Sequence, residues 1–266
     1  MQHEASLDGY PIARRRRIGE RLFFASCFAV SLYLILGHEW RSLWEPPLIA
    51  LAFLWITFFS LYLAHHHRAM LLDVTGFRWP SGTRGLWPTV LPMTAWVVSI
   101  WLSFRGHSGT ADEWTIWIGE TLAIAVIEEL LFRGLVYGGA EALSGRPWVA
   151  IAVSSVIFSL VHLDQIGTLP TDFVALNSFG ALAGGVLFAA MRYRTGSFVT
   201  AIPFHALSDI PAMITLSRAH GVRLSMPPHW MAHMGVEILA MAAAGAWILA
   251  PRHPFSVRRG RETPES

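Results

Sequence analysis

The sequence is short of charged residues, holds one cysteine and contains no lysine. Charged residues make up 14% of the 266 positions and hydrophobic residues 53%, whereas an average soluble domain carries about 25% charged residues. The single cysteine, Cys27, excludes an intrachain disulfide and a cysteine-rich metal site. This balance is typical of a membrane protein, so the lipid bilayer is the first partner that the composition predicts.

Eight apolar stretches occupy most of the chain, and each is about as long as the ~20-residue helix that crosses a hydrocarbon core. Because backbone polar groups in lipid must pair internally, stretches this long and without alternation favour helices over a β-barrel. We therefore predict an all-α, polytopic membrane bundle of about eight transmembrane helices over 22–250, between a basic segment at 1–21 and a basic polar tail at 251–266. The stretches lie near 22–37, 46–64, 86–104, 114–138, 147–163, 173–191, 197–216 and 229–250.

The 20 basic residues are all arginines, and they are distributed unevenly over the loops. With the N-terminus in the cytoplasm, 15 fall on the cytoplasmic side and 4 on the outer side, while Arg133 lies inside a helix. Short cytoplasmic loops carry such an excess, so both termini are predicted to be cytoplasmic, in a bacterial inner membrane. This bias also explains the basic ends of the chain, which identify no nucleic-acid partner.

The loop at 65–85 mixes arginines with apolar and aromatic residues such as Met70, Phe77 and Trp79. This mixture suits a segment that lies in the cytoplasmic membrane interface. An ordinary basic loop would have the same composition, and both interpretations stay open.

Glycines and prolines in two of the predicted helices indicate how a cavity could form. Gly180, Gly184 and Gly185 have the small-residue spacing that lets helix backbones approach closely. Pro203 and Pro211 bracket a polar cluster on the seventh stretch, and a proline inside a helix tends to kink it. Simple packing explains both features equally well.

The stretch at 120–133 places Glu128, Glu129 and Arg133 in an otherwise apolar run. An ionisable group at bilayer depth costs at least ~2.5–3.5 kcal/mol on insertion scales, so such groups are rare and are functional candidates by default. Glu129 and Arg133 are i and i+4 neighbours on one helix face, which predicts an ion pair. Consecutive helical residues point about 100° apart, so Glu128 is predicted to face away from that pair and to be the freer carboxylate, suited to a general base.

Two further helices carry histidines. His162 ends the run FSLVH at 158–162, and His205 and Asp209 are i and i+4 neighbours in HALSD at 205–209. The latter spacing suits metal ligands as well as an acid/base pair. A buried salt-bridge network that only fixes helix packing remains the alternative to a catalytic cluster.

The three motifs EELLFR (128–133), FSLVH (158–162) and HALSD (205–209) resemble EExxxR, FxxxH and HxxxN or D of the CPBP intramembrane proteases. This is the CAAX protease and bacteriocin-processing, or Abi, family, and the resemblance places its catalytic core at about 114–216. It implies a hydrolase that cuts a peptide or membrane-protein substrate near the membrane surface with a glutamate-activated water.

The resemblance also implies roles for individual residues. Glu128 would activate the water, Glu129 and Arg133 would support it, and His162, His205 and Asp209 would position the water or stabilise the oxyanion. Asp209 stands where asparagine is frequent, and its charge could favour a metal. If the enzyme is a metalloprotease, a divalent ion such as zinc would be held by Glu128, His162, His205 and Asp209.

Other chemistries fit the sequence less well. Cys27 has no base linked to it, and Ser208 would point about 100° from Asp209. His229, His233 and Glu237 share a helix face in a metal-compatible spacing, but interfacial histidines beside one inward-facing acid explain them better. The second functional class is a non-catalytic membrane protein, a transporter or an immunity-type binding module, with the polar cluster as a proton relay or packing lock.

The predicted span boundaries place the three motifs at different depths. Glu128 falls near mid-membrane, His162 toward the outer side and His205 closer to the cytoplasm. We expect tilted or offset helices to bring the three side chains level.

Overall fold

The structure, a computed structural model, describes residues 17, 19, 21, 74–80, 87–103, 109–166, 169–218 and 228–250. The predicted spans at 22–37 and 46–64, Cys27 and the polar tail lie outside the described residues. Helices and no strands form the described part, which confirms the all-α class there. The number of eight spans, the domain boundaries and the cytoplasmic placement of the termini stay predictions.

The described helices run in chain order without a strand between them. They are α1 (Trp87–Ser103), α2 (Ala111–Glu128), a π-helix (Glu129–Val136), α3 (Tyr137–Ser144), α4 (Pro147–Val161), a 3-10 turn (His162–Gln165), α5 (Thr171–Thr195), α6 (Ile202–Arg218) and α7 (Pro228–Leu249). Within the described ranges, α5 is long and apolar enough to cross a membrane, whereas the apolar parts of α1, α4 and α7 are shorter.

The second helix is longer than the predicted span at 114–138. It begins at a capping box, in which Thr110 accepts from the Glu113 backbone and Glu113 accepts from the Thr110 backbone. It then continues through the π-helix and α3 to Ser144, and Gly145 ends it with φ of 64°. Glycine adopts this left-handed conformation without steric penalty.

The turn at Gly145 brings two of the predicted site residues to a similar height. Glu128 precedes Gly145 by 17 residues, and His162 follows it by 17 residues. Because α4 returns along α3 and the π-helix, the two residues lie level with each other across the hairpin. The predicted mismatch in depth came from ending the helix too early.

The glycines of α5 allow close packing on both of its sides. A Cβ at Gly185 would lie 3.0 Å from the Cα of Ser155 on α4, and one at Gly184 would lie 3.4 Å from the Sδ of Met241 on α7. The predicted close approach of backbones is therefore present at Gly185, whereas Gly184 and Gly180 have side chains as their nearest neighbours. Of the two prolines, Pro203 lies in the first turn of α6, where it breaks no helical hydrogen bond, and only Pro211 lies inside.

The approach of α5 to α4 predicts a sharp difference between two glycine substitutions. Gly185→Ala should lower the free energy of unfolding by about 1–3 kcal/mol, because the added methyl overpacks against backbone. Gly235→Ala, at a glycine whose Cβ would meet nothing within 4 Å, is the matched control and should not destabilise. Thermal unfolding in detergent measures both, and equal effects would contradict the packing described here.

Candidate active site

The two adjacent carboxylates meet at one imidazole. The backbone at Glu128 and Glu129 is α-helical, with φ of −68° and −66°, so the two side chains start about 100° apart. Both nevertheless reach His205, one at each ring nitrogen. The π-helix at Glu129–Val136 begins at this point of the chain, and such segments occur frequently at functional sites. Glutamate side chains are long enough to bring both carboxylates to one ring in spite of the divergence.

His205 is the centre of the cluster. Its Nδ1 lies 2.9 Å from Oε1 of Glu129, and its Nε2 lies 3.4 Å from Oε2 of Glu128 and 3.4 Å from Oδ2 of Asp209. A neutral imidazole has one donor N–H, whereas the imidazolium has two. Because both ring nitrogens face carboxylate oxygens, this surrounding favours the doubly protonated, cationic ring.

Arg133 compensates the charge of Glu129. The predicted i,i+4 ion pair is present, with Arg133 Nη1 2.9 Å from Glu129 Oε1 and both side chains fully buried. The guanidinium lies 4.2 Å from the ring centroid of Phe158 and 5.2 Å from that of Phe188. In the described part of the chain its Nε and Nη2 have no hydrogen-bond partner, so the two aromatic faces supply the remaining favourable contact with the cation.

His162 is oriented by its own helix. Its Nδ1 lies 2.8 Å from the carbonyl oxygen of Phe158. A carbonyl only accepts, so Nδ1 carries the proton, and in the neutral ring Nε2 keeps its lone pair. The ring of Phe158 contacts His162 with a centroid distance of 4.8 Å and His205 with one of 6.0 Å, so this phenylalanine lies between the two histidines.

Phe188 is a site residue that the sequence reasoning missed. It stacks on the imidazole of His205 with a centroid distance of 4.9 Å and an interplanar angle of 20°. It precedes Gly196, which reverses the chain with φ of 68°, by 8 residues, and His205 follows this glycine by 9. The sequence did carry one signal for this contact, because Phe188 and His205 lie at nearly equal distances along the chain from the turn at Gly196.

The cluster is accessible on one side. Glu129 is fully buried, whereas the side chain of Glu128 is 12% exposed and that of Asp209 is 36% exposed. Ser208 donates to the His205 carbonyl at 2.7 Å and to Asp209 at 3.3 Å, so its hydroxyl is engaged locally. Next to the cluster, a cavity of about 380 Å³ is lined by apolar side chains, among them Trp101, Leu122, Ala206 and Ile210.

The side chains predicted as possible metal ligands do not fit that role. Within the described residues, no group of three or more His, Cys, Asp and Glu side chains is arranged to hold a metal ion. His205, the central candidate, faces carboxylates at both nitrogens, and a doubly protonated ring has no lone pair for a metal. We derive no step through zinc or another divalent ion. The side chains of His229 and His233 lie outside the described residues.

The burial of the Glu129–Arg133 pair predicts a strong and non-additive effect on stability. Arg133→Met should lower the free energy of unfolding by about 3–5 kcal/mol, because it leaves a buried carboxylate less compensated. The double variant with Glu129→Gln should be destabilised by less than the sum of the single variants. Thermal unfolding of all three variants in the same detergent measures this, and additive losses would show that the pair is not coupled.

The three motifs lie within one match to a known family. Residues 110–211 match the model described as type II CAAX prenyl endopeptidase Rce1-like. No curated protein and no solved structure matches the chain. The match runs from α2 to the part of α6 that carries His205 and Asp209, and its family is one of membrane-embedded proteases. Over residues 110–211 the chain is therefore similar to the Rce1-like type II CAAX prenyl endopeptidases, in agreement with the CPBP resemblance of the three motifs.

Proposed function

We propose that the chain is a multi-pass intramembrane endopeptidase, which hydrolyses a peptide bond near the membrane surface with a water activated by Glu128. The observation that supports this best is the convergence of three carboxylates on His205, with Glu128 and Asp209 accessible and Glu129 sealed. A cluster that is closed on one side and open on the other can hold its own charges and still admit water and substrate.

Glu128 is the base in this proposal. It lies within electrostatic reach of His162, His205, Asp209 and Arg133, and its carboxylate is free of the tight pair that holds Glu129. The lone pair on Nε2 of His162 would accept one hydrogen of the water while Glu128 takes the other as a proton. The hydroxide formed attacks the carbonyl carbon, and Glu128 later returns the proton to the leaving amine.

His205 is the oxyanion stabiliser in this proposal. Its Nε2 contacts, both at 3.4 Å, are longer than a full N–H···O bond, so a substrate oxygen that approaches along the N–H direction can replace them as the acceptor. Glu129, held by Arg133, fixes the opposite nitrogen and the charge of the ring. Asp209 stands where asparagine is frequent in the family, and here it adds a second carboxylate that favours the imidazolium.

The apolar cavity beside the cluster suits the substrate class. Hydrocarbon surface dominates its lining, and its one polar member, Thr121, donates its hydroxyl to the Trp117 carbonyl. The cavity would therefore bind an apolar group of a peptide or membrane-protein substrate, next to the bond that is cut. Burial of this group would stabilise the complex by about 25 cal/mol per Å² of apolar surface.

The non-catalytic alternative is favoured by fewer of these contacts. A polar cluster that only fixes helix packing requires buried ion pairs, and Glu129 and Arg133, both 0% exposed, form such a pair. It gives no reason for the exposure of Glu128 and Asp209 or for the lone pair that His162 presents. In our proposal the buried pair Glu129–Arg133 fixes the packing of the site, and the exposed Glu128 and Asp209 belong to its catalytic part.

The proposal predicts that Glu128→Gln abolishes cleavage while the protein stays folded in the membrane. The amide keeps the size of the side chain but cannot take a proton from water, so product formation should fall by a factor of at least 10², the lower end for loss of a general base. The measurement is a proteomic comparison of membrane-protein and peptide termini in cells expressing wild type or variant.

Glu120→Gln, on the same helix but outside the cluster, is the matched control and should leave every terminus as in wild type. Unchanged termini between wild type and Glu128→Gln, with both proteins folded in the membrane, would reject peptide hydrolysis by this site and favour the non-catalytic class.

A further inference from the structure

Residues 74–80 form a short strap that lies against the end of the catalytic helix. The described segment starts with the helical residues Val74 and Thr75, reverses at Gly76, where φ is 68°, and ends before α1. Phe77 is 55% exposed and Trp79 is 81% exposed. Val74 nevertheless belongs to the apolar core and Phe77 contacts the ring of Phe198, whereas the hydrogen bonds of the strap are made mostly through its backbone carbonyls.

Arg192 on α5 holds the first half of the strap. Its Nη2 donates to the Val74 carbonyl at 2.6 Å, and its Nη1 donates to the Thr75 carbonyl. The residue is 4% exposed, and its guanidinium lies 4.7 Å from the ring centroid of Tyr137. A planar guanidinium can serve two carbonyls and an aromatic face at once, which a lysine ammonium cannot.

The second half of the strap is attached to the turn between α5 and α6. Nε of Arg78 donates to the Gly196 carbonyl at 3.2 Å, and the Phe198 amide donates to the Gly76 carbonyl at 3.4 Å. Ser197 donates its hydroxyl to the Arg78 carbonyl. This turn leads directly into α6, which carries His205.

The strap contacts reach the π-helix at its C-terminal end. The Val74 carbonyl lies so close to α3 that a Cβ at Gly138 would be 2.3 Å from its oxygen. Tyr137, under Arg192, is the residue that follows the π-helix. Gly134 inside the π-helix faces the ring of Phe198, with 3.5 Å from a Cβ built there to the nearest ring carbon. The last turn of the π-helix is thus fixed from two sides by elements that the strap joins.

From these contacts we infer that the strap is a positioning element for the catalytic carboxylates, with Arg192 and Gly138 as its positioning residues. This inference rests on the proposed function of Glu128. A π-helix persists where its surroundings impose it, because its hydrogen-bond register is less favourable than that of an α-helix. If the last turn is released, the segment can return to α register, which rotates α2 relative to α3 and turns Glu128 and Glu129 together away from His205.

The first test needs no substrate. The protein is placed in nanodiscs of phosphatidylethanolamine and phosphatidylglycerol, and amide hydrogen exchange is followed by mass spectrometry. Gly138→Ala, which displaces the strap by collision with Val74, should raise exchange at least tenfold in 129–136 as well as in 74–80. Gly119→Ala lies on the preceding part of the same helix, where a Cβ meets nothing within 4 Å, and should leave both regions unchanged.

Arg192→Lys is the second variant and keeps the charge while serving fewer carbonyls. It should give an intermediate increase in both regions. Faster exchange at 74–80 with wild-type protection at 129–136 in either variant would overturn the inference, because the strap would then be released without any effect on the π-helix.

The second test uses a substrate found by the comparison of wild type with Glu128→Gln. Gly138→Ala should lower kcat at least tenfold with little change in KM, Arg192→Lys should retain an intermediate kcat, and Gly119→Ala should match wild type. Equal kcat in all four proteins would overturn the inference. Absence of any cleaved substrate in wild type would reject the proposed function instead, and the exchange test would still decide on the strap.

Discussion

The constraint on which the rest of this structure depends is the placement of ionised groups inside an apolar bundle. A buried charge is tolerated only when a partner and further contacts compensate it, and Glu129 meets this condition through two partners. Arg133 and His205 each lie 2.9 Å from its Oε1, and Phe158 and Phe188 cover the far side of the arginine. The buried carboxylate of Glu129 stabilises the positive charge of His205, and Glu128 is then available to act as the base.

The π-helix follows directly after the reacting carboxylate. Glu128 and Glu129 have α-helical backbone angles and reach the two different nitrogens of one imidazole. The π-helical turns after them set the rotation of α2, which carries Glu128, relative to α3. This register gives the surrounding elements a means to control the position of the carboxylates, which is the role inferred for the strap at 74–80.

Much of the site could be predicted from the sequence because it depends on spacing. The i,i+4 pairs Glu129–Arg133 and His205–Asp209, and the all-α class, follow from helix periodicity and from apolar stretches. Ordered motifs on three helices sufficed to predict the resemblance to the CPBP family, with a core at about 114–216, and the family match at 110–211 confirms this resemblance. The roles of the individual site residues remain proposals, since geometry alone does not assign them.

The rest could not be predicted because it depends on tertiary contacts. The sequence ELLFRGLV has no signal that separates π from α register, so the π-helix was not predicted. Phe188 is one apolar residue among many on α5, and the contacts of Arg192 join positions more than 100 residues apart. The relative depth of Glu128 and His162 depended on where the helix ends, and Gly145 was the residue that decided it.

The central claim is that carboxylates at both nitrogens hold His205 as an imidazolium, while Phe158 holds His162 with its proton on Nδ1. Solid-state NMR of protein with ¹⁵N-labelled histidine, in bilayers at neutral pH, tests this most directly, with His205→Gln and His162→Gln difference spectra for assignment. We expect two protonated ring nitrogens for His205, and one protonated and one unprotonated nitrogen for His162. An unprotonated nitrogen in His205 would contradict the account.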